Sequence, residues 1–319
     1  MITFKLYGAD GYTCQIPRIG DGLRGIGHKV VYGDEKHDVI YNNNFRFDDI
    51  EEKHGDSSMF DKNGEPQKAF KIFNVLDIPP HVPDFPIETL KEQLSHADIV
   101  TCISEPVQQQ LKDIGVDSHV IWNPIKDLCF DPTYKRDIKC LYVGRAADRN
   151  KRAWFLRKFV NQVVQVGSES LMDIFNGELG SNVYDGNGNI IGTQTDIDPN
   201  KGKYLGLVSD ISLINLLNRS LVVALPTKFE GLGLPALEAM VCGALPLVCR
   251  DNPNSKLCPD FCIAEPNEDS VFEKWLDLIN NFDKYQKIVL EDYAQQSAFK
   301  FSKFSLDKNI ADLYIKYKK

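Results

Sequence analysis

No apolar stretch of the 319-residue sequence approaches the roughly 20 residues that a membrane-crossing helix needs, so no helical span is expected. Positive charge is also in deficit. The 37 lysines and arginines stand against 45 aspartates and glutamates, and a net charge of −8 provides no global basic field to recruit nucleic acid or an anionic membrane. Eight cysteines are present without paired Cys/His ligand spacing. Cys258 and Cys262 form an isolated Cys-x3-Cys, which points to buried or free thiols in a reducing compartment rather than to zinc. The opening Met1-Ile-Thr-Phe-Lys runs directly into a strand without the profile of a secretory leader, and a soluble, cytoplasmic chain is the expectation.

What is present is enough apolar residue, 43%, to bury substantial cores, and the length suits two domains better than one. Strand-like runs at 2–7, 27–32, 38–42, 68–76 and 98–104 alternate with helical patterns at 13–26 and from Glu105 through Ile114. Ser104 is placed to cap the second of these helices. Residues 43–67 are too polar for a core element and read as a loop with short helix. After Pro124, residues 125–137 read as a linker. Strands are then predicted at 139–144, 170–175, 202–208, 221–226 and 245–249, with helices at 152–165, 210–219 and 234–242. Such alternation predicts two doubly wound α/β domains, 1–125 and 126–300, followed by a C-terminal helix, 301–319. That helix carries Leu306, Ile310, Leu313 and Tyr317 on one face. Asp185-Gly-Asn-Gly-Asn189, within 180–201, reads as the tip of an inserted hairpin.

The stretch from Leu221 to Met240 organises the second domain. Leu221-Val-Val-Ala-Leu225 is the continuous apolar run of a strand buried on both faces. Gly231 and Gly233 then allow a sharp turn with backbone amides close to a ligand, and Pro235 suits a first helical turn. Helix N-termini at the carboxyl edge of an open sheet bind anions, and a diphosphate is the obvious one. Glu230 lies in the loop and Glu238 in the helix, placed to serve different atoms: Glu238 neutral hydroxyls beside the phosphate site, Glu230 the group beyond the phosphates. Arg145 and Lys151 follow another strand and can converge on the same edge as fixed cations.

Glu230-Gly-Leu-Gly-Leu-Pro-Ala-Leu-Glu238 resembles the E-x7-E signature of retaining glycosyltransferases of family 4, which have the GT-B fold. Gly144-Arg145 with Lys151 resembles that family's G-R-x(n)-K segment, and Gly206-Leu-Val208-Ser-Asp210 its G-x-v-s-d turn. The likeness covers about residues 98–250. It implies two Rossmann-like doubly wound domains facing across a cleft, with the last helix crossing back onto the first. It also implies transfer with retention from a nucleotide-diphosphate sugar, taken here as UDP-linked. Arg145, Lys151 and Glu230 are then the catalytic candidates. Gly231, Leu232, Gly233, Leu234, Glu238, Val208 and Gly11 are the donor-binding ones, and Asp77 and His81 are sugar or acceptor contacts. Family members place the first glutamate on hydroxyls of the transferred sugar, and Glu238 is expected at the ribose, much as an acidic residue holds a ribose in dinucleotide folds. GT-B enzymes generally dispense with a metal, and Asp196-Ile-Asp198 falls in the polar insertion rather than after a nucleotide-proximal strand, so no metal or other cofactor is expected.

The acceptor implied is a glycan or lipid-linked sugar. An alternative is hydroxymethylated DNA, in host cytoplasm if the chain is viral. It draws on the compact length and on Arg145, Arg149, Lys151, Arg152, Arg157 and Lys158 within fourteen residues. A non-catalytic nucleotide-sugar-binding module is a further reading, opposed by the intact Arg145, Lys151, Glu230 and Glu238 set. Oligomeric state is not legible.

Overall fold

The computed structural model describes residues 1–7, 15–32, 35–43, 68–76, 78, 87–168, 170–171, 182–184, 190–193 and 203–318. Gly11, Asp77 and His81 lie outside them, as do 44–67 and the 185–189 tip. The chain divides into two units, 1–124 with 300–319 and 125–299.

The first unit is built on a six-stranded sheet in the order β2-β1-β3-β4-β5-β6, every neighbouring pair parallel. The strands are β1 (Thr3–Tyr7), β2 (Lys29–Val31), β3 (Val39–Asn43), β4 (Phe70–Val75), β5 (Ile99–Cys102) and β6 (His119–Val120). Helices α1 (Gln15–Gly25), α2 (Ile87–Leu94) and α3 (Glu105–Asp113) lie between strands in the chain. Ser104 caps α3 by accepting from the Val107 amide, which satisfies one of the helix's free donors. The final helix, Lys303–Tyr317, buries Ile310 and Ala311 with Phe4, Leu6, Ile19, Leu23 and Tyr41 in this unit's core.

The second unit carries another six-stranded parallel sheet, ordered β11-β8-β7-β12-β13-β14. Its strands are β7 (Ile138–Val143), β8 (Val163–Val166), β11 (Lys203–Tyr204), β12 (Ser220–Leu225), β13 (Leu245–Cys249) and β14 (Ile263–Ala264). Between them, β9 (Asn182–Tyr184) and β10 (Ile190–Thr193) pair antiparallel, as an inserted hairpin requires. Helices α4 (Asp210–Arg219) and α5 (Leu234–Val241) flank β12 in the chain, and α6 (Glu268–Asn280) follows β14. All of β13 and nearly all of β12 are buried, the mark of a parallel sheet covered on both faces. The chain winds outward through β7, β8 and β11, then returns to place β12 beside β7 and winds the other way. The topological switch point therefore lies between β7 and β12.

Two predicted elements differ from those observed. The helix expected at 152–165 consists of 3₁₀ turns, Arg149–Lys151 and Ala153–Gln162, because Arg152 adopts a left-handed conformation and Phe159 is non-helical. The end of that expected helix, Val163-Val-Gln-Val166, is instead the strand β8, and of the strand expected at 170–175 only residues 170 and 171 lie within the described residues. The strand expected at 202–208 is only two residues long. Gly167 is held tightly: a β-carbon there would come within 1.9 Å of the Gly144 carbonyl oxygen, so β7 and β8 end in close backbone contact.

Among the described cysteines, Cys129 is exposed and Cys102, Cys140, Cys242, Cys249, Cys258 and Cys262 are buried. Burial pushes the Cys102 thiol up to about 11 and those of Cys242, Cys249 and Cys258 up to about 12, with Cys140 and Cys262 also raised. Alkylation requires an accessible thiolate. Iodoacetamide at pH 8 should therefore modify Cys129 and spare the other six in native protein, as read by peptide mass spectrometry. Modification of Cys258 or Cys262 without unfolding would contradict this packing.

Candidate functional site

The site is assembled at the switch point of the second unit, where the loops after β7, β12 and β13 meet. Beyond β12, Thr227 is buried and Gly233 takes a left-handed conformation at φ 78°, a backbone shape that glycine adopts without strain. Gly233 is the N-cap of α5 and offers no side chain to the helix's free amides. Leu232 is buried. Leu234 opens the helix, and Val208 is half-buried just ahead of α4.

Lys151 and Glu230 meet at this edge. The Lys151 ammonium lies 2.5 Å from a Glu230 carboxylate oxygen, with both side chains 22% exposed. Such a pair is partly desolvated but still open to solvent, where a ligand can compete for either member. Arg145 stands apart and more exposed, with its guanidinium 3.1 Å from Asp148. Asp148 also accepts from the Asn150 amide and so shapes the turn that carries Lys151.

The β12 loop is held from two sides. Asn150 donates to the Phe229 carbonyl at 2.7 Å and accepts from the Phe229 amide at 3.0 Å. From the β13 side, Asn254 donates to the carbonyls of Glu230 and Gly231, and Asn252 to that of Thr227. Beneath the loop, Leu232, Pro235, Leu237, Val248, Leu257 and Cys258 wall a small cavity that Glu230 also borders.

Glu238 occupies a different environment. Its carboxylate is buried and accepts from the Lys126 ammonium at 3.1 and 3.3 Å, and from the Lys126 amide at 3.4 Å. Asp210 lies 3.8 Å from the same ammonium. The two glutamates are thus each paired with a separate lysine. Lys126, Asn150, Asn252 and Asn254 were not singled out by sequence reasoning. The Asp251-Asn-Pro-Asn254 run carries the composition of a side-chain-bonded turn, which was the available signal for the last two.

The six basic residues within fourteen positions do not form an open cationic field. Arg145 pairs with Asp148, Lys151 with Glu230, Arg152 with Asp251, Arg157 with Glu268 and Lys158 with Asp269. Among the described residues, no group of three or more His, Cys, Asp or Glu side chains is arranged to hold a metal ion. None of the described helices is long and apolar enough to cross a membrane.

Residues 199–293 match the protein-family model described as "Glycosyl transferases group 1". No curated protein matches the chain. Among solved structures, Anabaena Alr3699/HepE in complex with UDP and glucose superposes with a TM-score of 0.68 at 13% identity, covering 99% of this chain and 100% of that one. Sucrose-phosphate synthase from Thermosynechococcus elongatus gives 0.69 at 12% identity, with 99% of each chain covered. A glycosyltransferase from Rickettsia africae gives 0.69 at 13%, covering 99% of this chain and 98% of that one. Two six-stranded parallel sheets, each in its own unit, together with these structural neighbours, give the chain the GT-B fold of the glycosyltransferases.

Proposed function

We propose that this protein is a retaining glycosyltransferase of the family 4 type that takes a sugar from a UDP-linked donor and needs no metal ion. The observation that carries the reading is the Lys151–Glu230 pair beside the Gly233 turn at the switch point of the second sheet. Departure of a nucleoside diphosphate develops negative charge on the phosphates and positive charge at the anomeric carbon, and fixed cations and amides must meet the first of these. Lys151, Arg145 and the amides at the start of α5 are the groups for that task. When Lys151 turns to a phosphate, Glu230 is released to the hydroxyls of the transferred sugar. Glu238 sits in the same helix, and it serves the ribose when its carboxylate turns from the Lys126 ammonium that now holds it at 3.1 and 3.3 Å. Transfer on the face of the departing phosphate, which itself assists the acceptor hydroxyl, gives retention. HepE was solved with UDP and with UDP-glucose, which supports a UDP-linked donor here.

A glycan or lipid-linked sugar is the acceptor favoured. The DNA alternative drew on the basic run 145–158, and five of its six cations are engaged by carboxylates. With Arg145 and Lys151 given to the donor, a phosphate-tracking surface would have to draw on Arg149, Arg152, Arg157 and Lys158, and Arg152 and Arg157 are held in partly buried pairs.

Two measurements on the purified chain test this reading. Isothermal titration should show UDP binding, and slow hydrolysis of a UDP-hexose should proceed undiminished in EDTA. A strict Mg²⁺ or Mn²⁺ requirement would contradict the metal-free site, and binding without any turnover would favour a non-catalytic module.

A further inference from the structure

Lys151 is flanked by two residues whose side chains leave their own turn and grip other loops. Asn150 makes three bonds to consecutive residues beyond β12: its side-chain amide donates to the Phe229 carbonyl and accepts from the Phe229 amide, while its main-chain carbonyl accepts from the Lys228 amide at 2.9 Å. The side chain thereby imitates a rung of a strand ladder, 79 residues away in sequence. On the other flank, Arg152 has φ 48° and ψ 39°, the one positive φ of a non-glycine residue among those described. Such a conformation persists where the surroundings over-determine it, and it concentrates at functional sites. Here the determinant is a two-pronged pair with Asp251 beyond β13, at 2.8 and 2.5 Å, with Arg152 only 8% exposed. Planar, bidentate pairs of this kind are the most direction-specific that side chains make. The Phe155 ring lies 5.6 Å from the guanidinium carbon.

The backbone of Lys151 is therefore pinned between the β12 loop on one side and the β13 loop on the other. A lysine ammonium on four methylenes is otherwise a mobile point charge. We infer that Asn150 and Arg152 are positioning residues that fix Lys151 for the second phosphate of a nucleoside diphosphate. The inference rests on the proposed role of Lys151 as a phosphate cation and assigns how that role is enforced. Residues that merely fold the loop would, when removed, weaken every ligand alike. Residues that aim Lys151 weaken only what Lys151 touches.

The affinities of the full chain for UDP and UMP, measured by isothermal titration, separate the two cases, because their ratio isolates the second phosphate. In Asn150→Ala the ratio should fall by about fivefold or more while UMP affinity stays within about twofold, and in a Lys151→Ala background the same substitution should change the ratio no further, as expected of residues acting through one group. Arg152→Gly should behave alike: glycine accepts the left-handed conformation, so the pair with Asp251 is what is lost, and circular dichroism recorded beside each titration shows that the variants compared are folded. Equal weakening of UDP and UMP, an undiminished Asn150→Ala effect without Lys151, or a wild-type ratio in both variants would each overturn the inference. A wild-type chain that binds no UDP removes the proposed function as well, whereas a normal wild-type ratio untouched by either variant removes the positioning role alone.

Discussion

Lys151→Ala is expected to lower transfer, or donor hydrolysis in its absence, by about a hundredfold to a thousandfold, the range for removing one preorganised charge-stabilising group. The side chain is 22% exposed and already desolvated enough to interact strongly, and its loss leaves Glu230 without the cation it now holds at 2.5 Å. Arg145→Ala should cost less, about tenfold, because its side chain is 56% exposed and its charge is screened by solvent and shared with Asp148. Initial rates at saturating donor, with UDP affinity measured in parallel, give the comparison. Wild-type turnover in Lys151→Ala would remove the residue from the reaction, and a larger loss in Arg145→Ala would exchange the two roles.

Glu238→Ala should be felt first as lost stability. The carboxylate and the Lys126 ammonium are 3% and 12% exposed, so deleting one partner strands the other in a medium that solvates it poorly. Breaking a buried pair in this way costs about 3–5 kcal/mol, whereas replacing both members by apolar groups is often close to neutral. Lys126→Met combined with Glu238→Leu should thus be more stable than either single charge deletion, as a double-mutant cycle on chemical denaturation midpoints would read. Surviving Glu238→Ala protein should also bind UDP more weakly and show a raised KM for every sugar nucleotide, the signature of uniform binding. Glu230→Gln reverses the pattern. Its hydroxyl contacts tighten as the sugar ring flattens toward the transition state, so kcat falls strongly. UDP affinity should hold or improve, because Lys151 is released from its carboxylate. Equal loss of UDP binding in Glu230→Gln and Glu238→Ala would refute the division of roles.

Much of the fold was legible in the chain itself. The strand, turn and helix around residues 220–241 carry their own signals: a run buried on both faces, glycine where φ is positive, proline in the first helical turn. The alternation of strands and helices implied doubly wound sheets, and both sheets are parallel and six-stranded. The failures were local. Val163-Val-Gln-Val166 fits the end of an apolar helical face as well as it fits a strand, and the choice is made by pairing with β7, which no window of sequence contains.

The environment of the candidate site was less legible, for the same reason. The sequence placed Glu230, Glu238, Arg145 and Lys151 near strand ends by the local rule that loops after parallel strands gather at one edge. It could not assign the partners of those charges. Lys151 and Glu230 are 79 residues apart, Lys126 and Glu238 are 112 apart, and Arg152 and Asp251 are 99 apart. Each pairing depends on which strands become neighbours, and the order β8-β7-β12-β13 is a property of the assembled sheet. Composition, strand and helix periods and the glycine-proline turn were therefore determined by the sequence alone, because they act over a few residues. The clamp around Lys151 and the burial of Glu238 against Lys126 were decided only by tertiary structure, because ion pairing and desolvation depend on distance in space and not along the chain.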